Sequence, residues 1–133
     1  MANLTITVAN VDWVSGGRKR LDAAETITAG DCLYAATSTT AGVVNVTDAA
    51  KDVCVGIALN DATAGHPVTY AESGAVVGFG AILTVGIWYC ISATGLIAPV
   101  ADLATSDYIS YVGYGITTSN MQVRIINTGL QFA

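Results

Sequence analysis

Few residues in this chain are of a type that does chemistry. Of its 133 residues one is a histidine, His66, and three are cysteines, Cys32, Cys54 and Cys90. His66 lies in Gly65-His66-Pro67, a turn sequence, and reads as an exposed loop residue in preference to a general base or a ligand. No second histidine exists to share a zinc ion with it, and no Cys-x-x-Cys occurs. The cysteines are odd in number, far apart and embedded in apolar sequence, which suits small buried hydrophobes in a reducing compartment better than a disulfide framework. The ten acidic residues are scattered through turns without an EF-hand spacing. Gly78-x-Gly80 and Gly113-x-Gly115 fall within strand-like runs with no helix after them, so neither cradles a phosphate. Serine and threonine are plentiful, yet none stands in Gly-x-Ser-x-Gly. These residues predict no enzyme, no cofactor and no metal site.

Composition points to burial. Hydrophobic residues make up 53% of the chain and charged residues 11%, where ordinary domains carry about 25% charge. Mean hydropathy is +0.56. A lone monomer of this kind lacks polar residues to cover itself, so a membrane or other subunits must supply the cover. The span from Ser73 to Ala101 carries no charge and exceeds the roughly 20 residues that cross a bilayer. However, Gly74, Gly78, Gly80, Gly86, Gly95 and Pro99 punctuate it at the spacing of short strands, and no Lys or Arg anchors its ends. Oligomerisation is therefore the expectation, with no membrane partner. The opening residues, Met1 to Thr7, lack the charged and apolar regions of a signal peptide. Net charge is −5, and three of the five basic residues are adjacent, Arg18-Lys19-Arg20; an acidic chain with one small basic knot predicts no nucleic-acid partner.

The elements that must position these residues read as strands. Leu4, Ile6 and Val8 alternate with polar neighbours, the period of a half-buried strand, and Val11-Asp12-Trp13-Val14 continues it until Ser15-Gly16-Gly17. Arg18-Lys19-Arg20 then reads either as a solvated loop or as an exposed arm that docks on an acidic partner. Residues 1–23 thus form an N-terminal strand and basic loop, and residues 24–133 a β domain.

Within that domain one unit is written twice, over about 26–59 and 82–117. Thr28-Ala29-Gly30-Asp31 leads to Leu33-Tyr34, and Thr84-Val85-Gly86 leads to Trp88-Tyr89, each glycine supplying a turn into a strand. Gly42-Val43-Val44 matches Gly95-Leu96-Ile97. Asp48-Ala49-Ala50, read as a connector or single helical turn capped by Thr47 or Asp48, matches Ala101-Asp102-Leu103-Ala104. Val53 to Asn60 and Tyr108 to Thr117 close the two units as buried strands. Gly56 and Gly113 inside them predict a bulge or a close approach of another backbone. Between the units lie a turn at 60–66 and strands near Val68-Thr69-Tyr70 and Ala75–Gly80; Met121–Asn127 is a last strand, and Leu130 and Phe132 belong to a tail that docks elsewhere or frays. The predicted fold is all-β, a compact β-barrel or sandwich built from two pseudo-repeated units, with an N-terminal strand or arm.

The remaining signal is aromatic. Tyr108, Tyr111 and Tyr114 share one strand and Trp88-Tyr89 its neighbour. Tyr and Trp suit places where one end of a ring is buried and the other stays wet, as at subunit interfaces, although a plain core role for Trp88 and Tyr114 fits equally.

Taken together, Met-Ala-Asn-Leu-Thr-Ile-Thr at the start, Thr28-Ala29-Gly30-Asp31 before Leu33-Tyr34, Val55-Gly56-Ile57-Ala58-Leu59-Asn60, Gly65-His66-Pro67-Val68 and Gly95 to Asp102 resemble the capsid decoration, or cement, proteins of tailed phages and prophages. The resemblance covers most of the chain and rests on turn-and-strand signatures. Asp12-Trp13 and Arg18-Lys19-Arg20 depart from it, standing where such proteins often carry bland Ala/Gly-rich sequence. It implies a β-tulip-like homotrimer that is made in the host cytoplasm, sits on the virion's outer surface and braces the major capsid protein. On that reading Trp13, Arg18, Lys19 and Arg20 contact the capsid, and Trp88, Tyr89, Tyr108, Tyr111 and Tyr114 form the oligomer contact. The rival expectations are a glycan- or host-binding module of a phage fibre, gripping through Trp13, Trp88 or the tyrosines, and a self-assembling tail or filament subunit.

Overall fold

Runs of alternating apolar residues broken by glycine become strands, eleven of them among the described residues. A computed structural model describes residues 3–92, 94–100 and 107–131. The strands are β1 Asp12–Ser15, β2 Arg18–Ala23, β3 Cys32–Ala35, β4 Thr40–Val43, β5 Cys54–Ala58, β6 Pro67–Ala71, β7 Val76–Gly78, β8 Trp88–Ser92, β9 Leu96–Pro99, β10 Tyr108–Gly115 and β11 Asn120–Gln131. The described residues include a 3-10 turn at Val8–Asn10, and no α-helix occurs among them. The protein is all-β. It consists of a closed five-stranded barrel, β2-β4-β3-β5-β6, and a six-stranded sheet, β1-β7-β11-β10-β8-β9.

The pairings repeat. In the barrel β2, β6, β5, β3 and β4 follow one another as antiparallel neighbours; in the sheet β7, β11, β10, β8 and β9 do the same. The matched elements therefore extend one strand beyond each end of the 26–59 and 82–117 units. Leu33 stands opposite Gly56, and Tyr89 opposite Gly113, with a register break beside each glycine. Both glycines are sites of close approach. A side chain on Gly56 would run into the Ala71 carbonyl and the Tyr70 ring, and one on Gly113 into the Gln122 carbonyl. Gly30 and Gly86 both have positive φ, at 95° and 80°, and each lies three residues before its matched core residue. This pairs Leu33 with Tyr89. The sequence alignment of Leu33-Tyr34 with Trp88-Tyr89 was one residue out, and strand register corrects it.

Two apolar clusters follow from the alternation. One takes side chains from all five barrel strands, among them Ala23, Leu33, Ala41, Val43, Ala58, Val68 and Tyr70, and fills the lumen. The other lies between the barrel and the sheet, where Cys32, Cys54, Ile57 and Ala71 meet Val77, Tyr89, Ile91, Ile97, Val112, Met121 and Val123. Asn127 on β11 joins the two layers as a backbone mimic: its amide oxygen accepts from Cys54 N–H at 2.9 Å and its amide nitrogen donates to Cys54 C=O at 3.0 Å.

The structure departs from the sequence reading chiefly at the ends. Residues 3–7 form no strand. Leu4 and Ile6 pack against the inter-layer core, and Leu4 N–H donates to Ile97 C=O at 2.7 Å. The stretch expected to be a basic loop or arm is strand β2, part of the barrel wall. At the other end, β11 runs on to Gln131, so Thr128–Gln131 pairs with the start of β10 where a tail was expected. The Asp48 connector is a chain of turns, closed by Lys51 N–H donating to Asp48 C=O at 3.0 Å. Its counterpart at 101–104 and Phe132 lie outside the described residues.

Candidate interaction surfaces

Two groups of the expected contact residues are brought together, on different parts of the molecule. The first is aromatic. In β8 and β10 the register sets Trp88 opposite Tyr114 and Cys90 opposite Tyr111, and in β11 Ile126 opposite Tyr111. Alternation sends Tyr89, Ile91, Val123 and Ile125 inward, leaving Trp88, Tyr111, Tyr114, Arg124 and Ile126 on the outer face. Trp88 meets Tyr114 with ring centres 5.0 Å apart, and Tyr111 edge-on at 5.8 Å. Ile126, 42% exposed, joins Trp88, Tyr111 and Val100 around an apolar depression of about 280 Å³. A second, more polar depression of about 590 Å³ adjoins it at Ile126 and is lined by Tyr114, Gln122, Arg124 and Ser73. Half-buried aromatic rings beside an exposed apolar residue form the kind of face that partners bury.

Two of the expected interface residues do not belong to this face. Tyr89 is 2% exposed; its ring fills the inter-layer core and its hydroxyl accepts Thr84 N–H at 2.9 Å. It is a core residue, because strand alternation turns it away from Trp88. Tyr108 lies near the other end of β10, opposite Gln131, with its N–H donating to Val46 C=O at 2.8 Å. Conversely, Ile126, Arg124 and Gln122 were missed as members of the face. The alternation Gln122, Arg124, Ile126 was the available signal, but it does not reveal which strand lies alongside.

The second group is basic. Gly16, at φ 90°, turns β1 towards β2. Trp13 Nε1 donates to Gly16 C=O at 3.2 Å, and the Arg18 guanidinium lies 3.9 Å from the centre of the Trp13 ring. An exposed stack of this kind contributes about 0.5–1 kcal/mol. Lys19 Nζ is 3.2 Å from Glu72 Oε1, while Arg20 is exposed. All four residues lie on or beside one edge of the barrel.

The residues singled out for chemistry occupy quieter places. Among the described residues no group of three His, Cys, Asp or Glu side chains is placed to hold a metal ion. His66 is exposed in a turn, its Nδ1 2.8 Å from the Thr63 hydroxyl. The three cysteines are buried. A hydrogen bond from the Cys32 thiol to Cys54, reinforced by burial, pushes that thiol well above its ordinary value, which leaves it protonated and unreactive. Burial, opposed by the Thr28 N–H and aided by Asp61 and Glu25, raises the Asp31 carboxyl.

No protein-family model matches the chain, and no curated protein is significantly similar to it.

Proposed function

We propose that this protein is a non-enzymatic structural subunit of a phage head, which self-associates as a trimer and binds the outer surface of the capsid to cement its shell. The family resemblance of the sequence motivates the capsid, and one structural observation carries the self-association. Strand register equates Trp88 with Cys32 and Tyr111 with Cys54. In the barrel those two positions are 0% and 3% exposed, covered by the other half of the chain. In the sheet the same two positions are aromatic and only half-buried. Another subunit supplies the missing cover, and Trp88, Tyr111, Tyr114 and Ile126 form that contact. Trp13 and the basic strand remain for the major capsid protein.

Cementing is then mass action: a subunit that binds only the assembled shell stabilises it in proportion to the logarithm of its free concentration, and several contacts per oligomer multiply the effect. Co-sedimentation with heads of its own phage tests the reading, and imaging of those heads locates the subunit. A protein that stays in the supernatant is not a cement protein, and one that scatters light as a monomer at micromolar concentration has no such oligomer. The aromatic face with Arg124 and Gln122 beside it favours one second reading, a glycan-binding module, because sugars stack on rings and bond to polar rims. Binding on a glycan array without pelleting on heads would establish that alternative.

A further inference from the structure

We infer that the outer edge of β2 at Arg18–Arg20 is a docking edge for an extended acidic segment of a partner protein, which adds to the barrel as an extra strand. The edge is defined by hydrogen-bond parity. Ala23 N–H donates to His66 C=O and Glu72 N–H to Gly17 C=O, so the odd-numbered residues of this strand bond to β6. Asp22 N–H points the other way, to Thr39 C=O. By the two-residue period of a strand, the backbone N–H and C=O of Arg18 and Arg20 point the same way as those of Asp22. The neighbour on that side, β4, pairs only with Asp22 and Ala23. The barrel wall therefore closes at one end of β2 and leaves its other end as an open edge.

Side chains decide what can occupy it. Three consecutive cations stand on this short edge in a protein of net charge −5, and all three are exposed. A second copy pairing here would set cation against cation, which is unfavourable for directly opposed residues. An acidic strand meets the opposite condition: its backbone completes the ladder, and its carboxylates face Arg18 and Arg20. The Trp13 ring under Arg18 holds one guanidinium in place before the partner arrives. A nucleic-acid backbone would satisfy the charges without using the strand's donors and acceptors.

The inference deepens the proposed capsid contact and rests on the protein being a binding subunit. It is tested on the full chain with a synthetic peptide of about ten alternating Glu and Thr residues, read by binding and by amide hydrogen exchange. The expected result is binding with at least a tenfold slowing of exchange at Arg18 and Arg20, and no binding of the Lys/Thr counterpart. Arg20→Ala removes one charge and should weaken binding a few-fold. Arg20→Pro also removes the outward N–H while leaving the β6 ladder intact, and should weaken it at least tenfold. Should Arg20→Pro not fold, a peptide N-methylated at alternate residues keeps the charge, lacks the edge donors and must fail to bind. Equal binding by the Ala and Pro variants, an N-methylated peptide that binds as well as its parent, or no binding at all would overturn the inference. Co-sedimentation separates it from the capsid reading: a protein that pellets with heads yet takes up no acidic strand keeps that reading and loses this one.

Discussion

The barrel and the sheet are assembled from strands paired in the same order, yet one closes and the other does not. In the barrel, β2 and β4 meet as a short parallel pair through Asp22 and Ala23. Their counterparts β7 and β9 are not paired to each other; β7 takes β1 as its neighbour, and Leu4 bonds to β9 at Ile97. The N-terminal segment thus fills the gap that the barrel closes for itself. The second contrast concerns faces. The barrel hides its outward row, Cys32, Cys54 and Ile57, beneath the sheet, whereas the sheet carries Trp88, Tyr111 and Tyr114 outward and only half-buried. Small residues fit a face that another layer covers inside one chain. Large amphipathic rings fit a face that stays half-exposed, with one side of each ring wet.

The matched glycines give the most severe test of the comparison. Gly56→Val and Gly113→Val each press a branched side chain into a neighbouring backbone, and each should cost about 3 kcal/mol or more, read as insoluble protein or a collapsed denaturation midpoint. Gly86 has open space around the same added atom, so Gly86→Ala should cost about 1 kcal/mol from its positive φ alone. If Gly56→Val were as soluble and as oligomeric as the parent, the equivalence of the two closing strands would be wrong.

Cutting the link between the layers comes next. Asn127→Ala leaves Cys54 N–H and C=O without their side-chain partners and should lower stability by about 1–3 kcal/mol, measured by urea unfolding. Tyr89→Phe removes only the acceptor of Thr84 N–H and should cost about 1 kcal/mol without altering oligomer size. Trp88→Ser paired with Ile126→Ser should do the reverse, leaving the unfolding midpoint nearly unchanged while shifting light scattering towards the monomer. If the Tyr89 variant changed the oligomer and the Trp88 pair did not, the inward and outward faces would have been assigned the wrong way round.

The smallest expected effect is electrostatic. The folded protein holds the Asp31 carboxyl above its ordinary value, chiefly by burial. The folded state therefore binds its proton more tightly than the unfolded chain does. This favours folding below the unfolded pKa and is lost as pH rises through the folded pKa. Asp31→Asn keeps an oxygen to accept Thr28 N–H and removes the charge, so its stability relative to the parent should rise between acid and neutral pH. Thermal melts at pH 3 and pH 7 read the difference, and a gain that is larger at pH 3 would refute it.

Much of this was legible because strands announce themselves locally. Alternation located Met121–Asn127, a β-branched run located Val53–Asn60, and glycines at matched distances disclosed that a unit is repeated. Those signals need only a residue and its near neighbours. The one-residue misalignment of Trp88-Tyr89 with Leu33-Tyr34 shows the limit, since a slip of one exchanges the two faces of a strand. Only pairing with Gly113 fixed Tyr89 inward and Trp88 outward. The same limit applied to Arg18-Lys19-Arg20, whose polarity reads as a loop because its barrel neighbours, β6 and β4, lie some twenty to fifty residues further along the chain.

By itself, then, the sequence determined an all-β chain, a doubled unit, and a composition poor in charge. Tertiary structure decided which half closes, that the basic stretch is a barrel strand with one open end, and which aromatic rings remain outside. The physical reason is that composition and period are properties of the local chain. Closure, edge and face are properties of strand pairing, and pairing is settled only when distant segments meet.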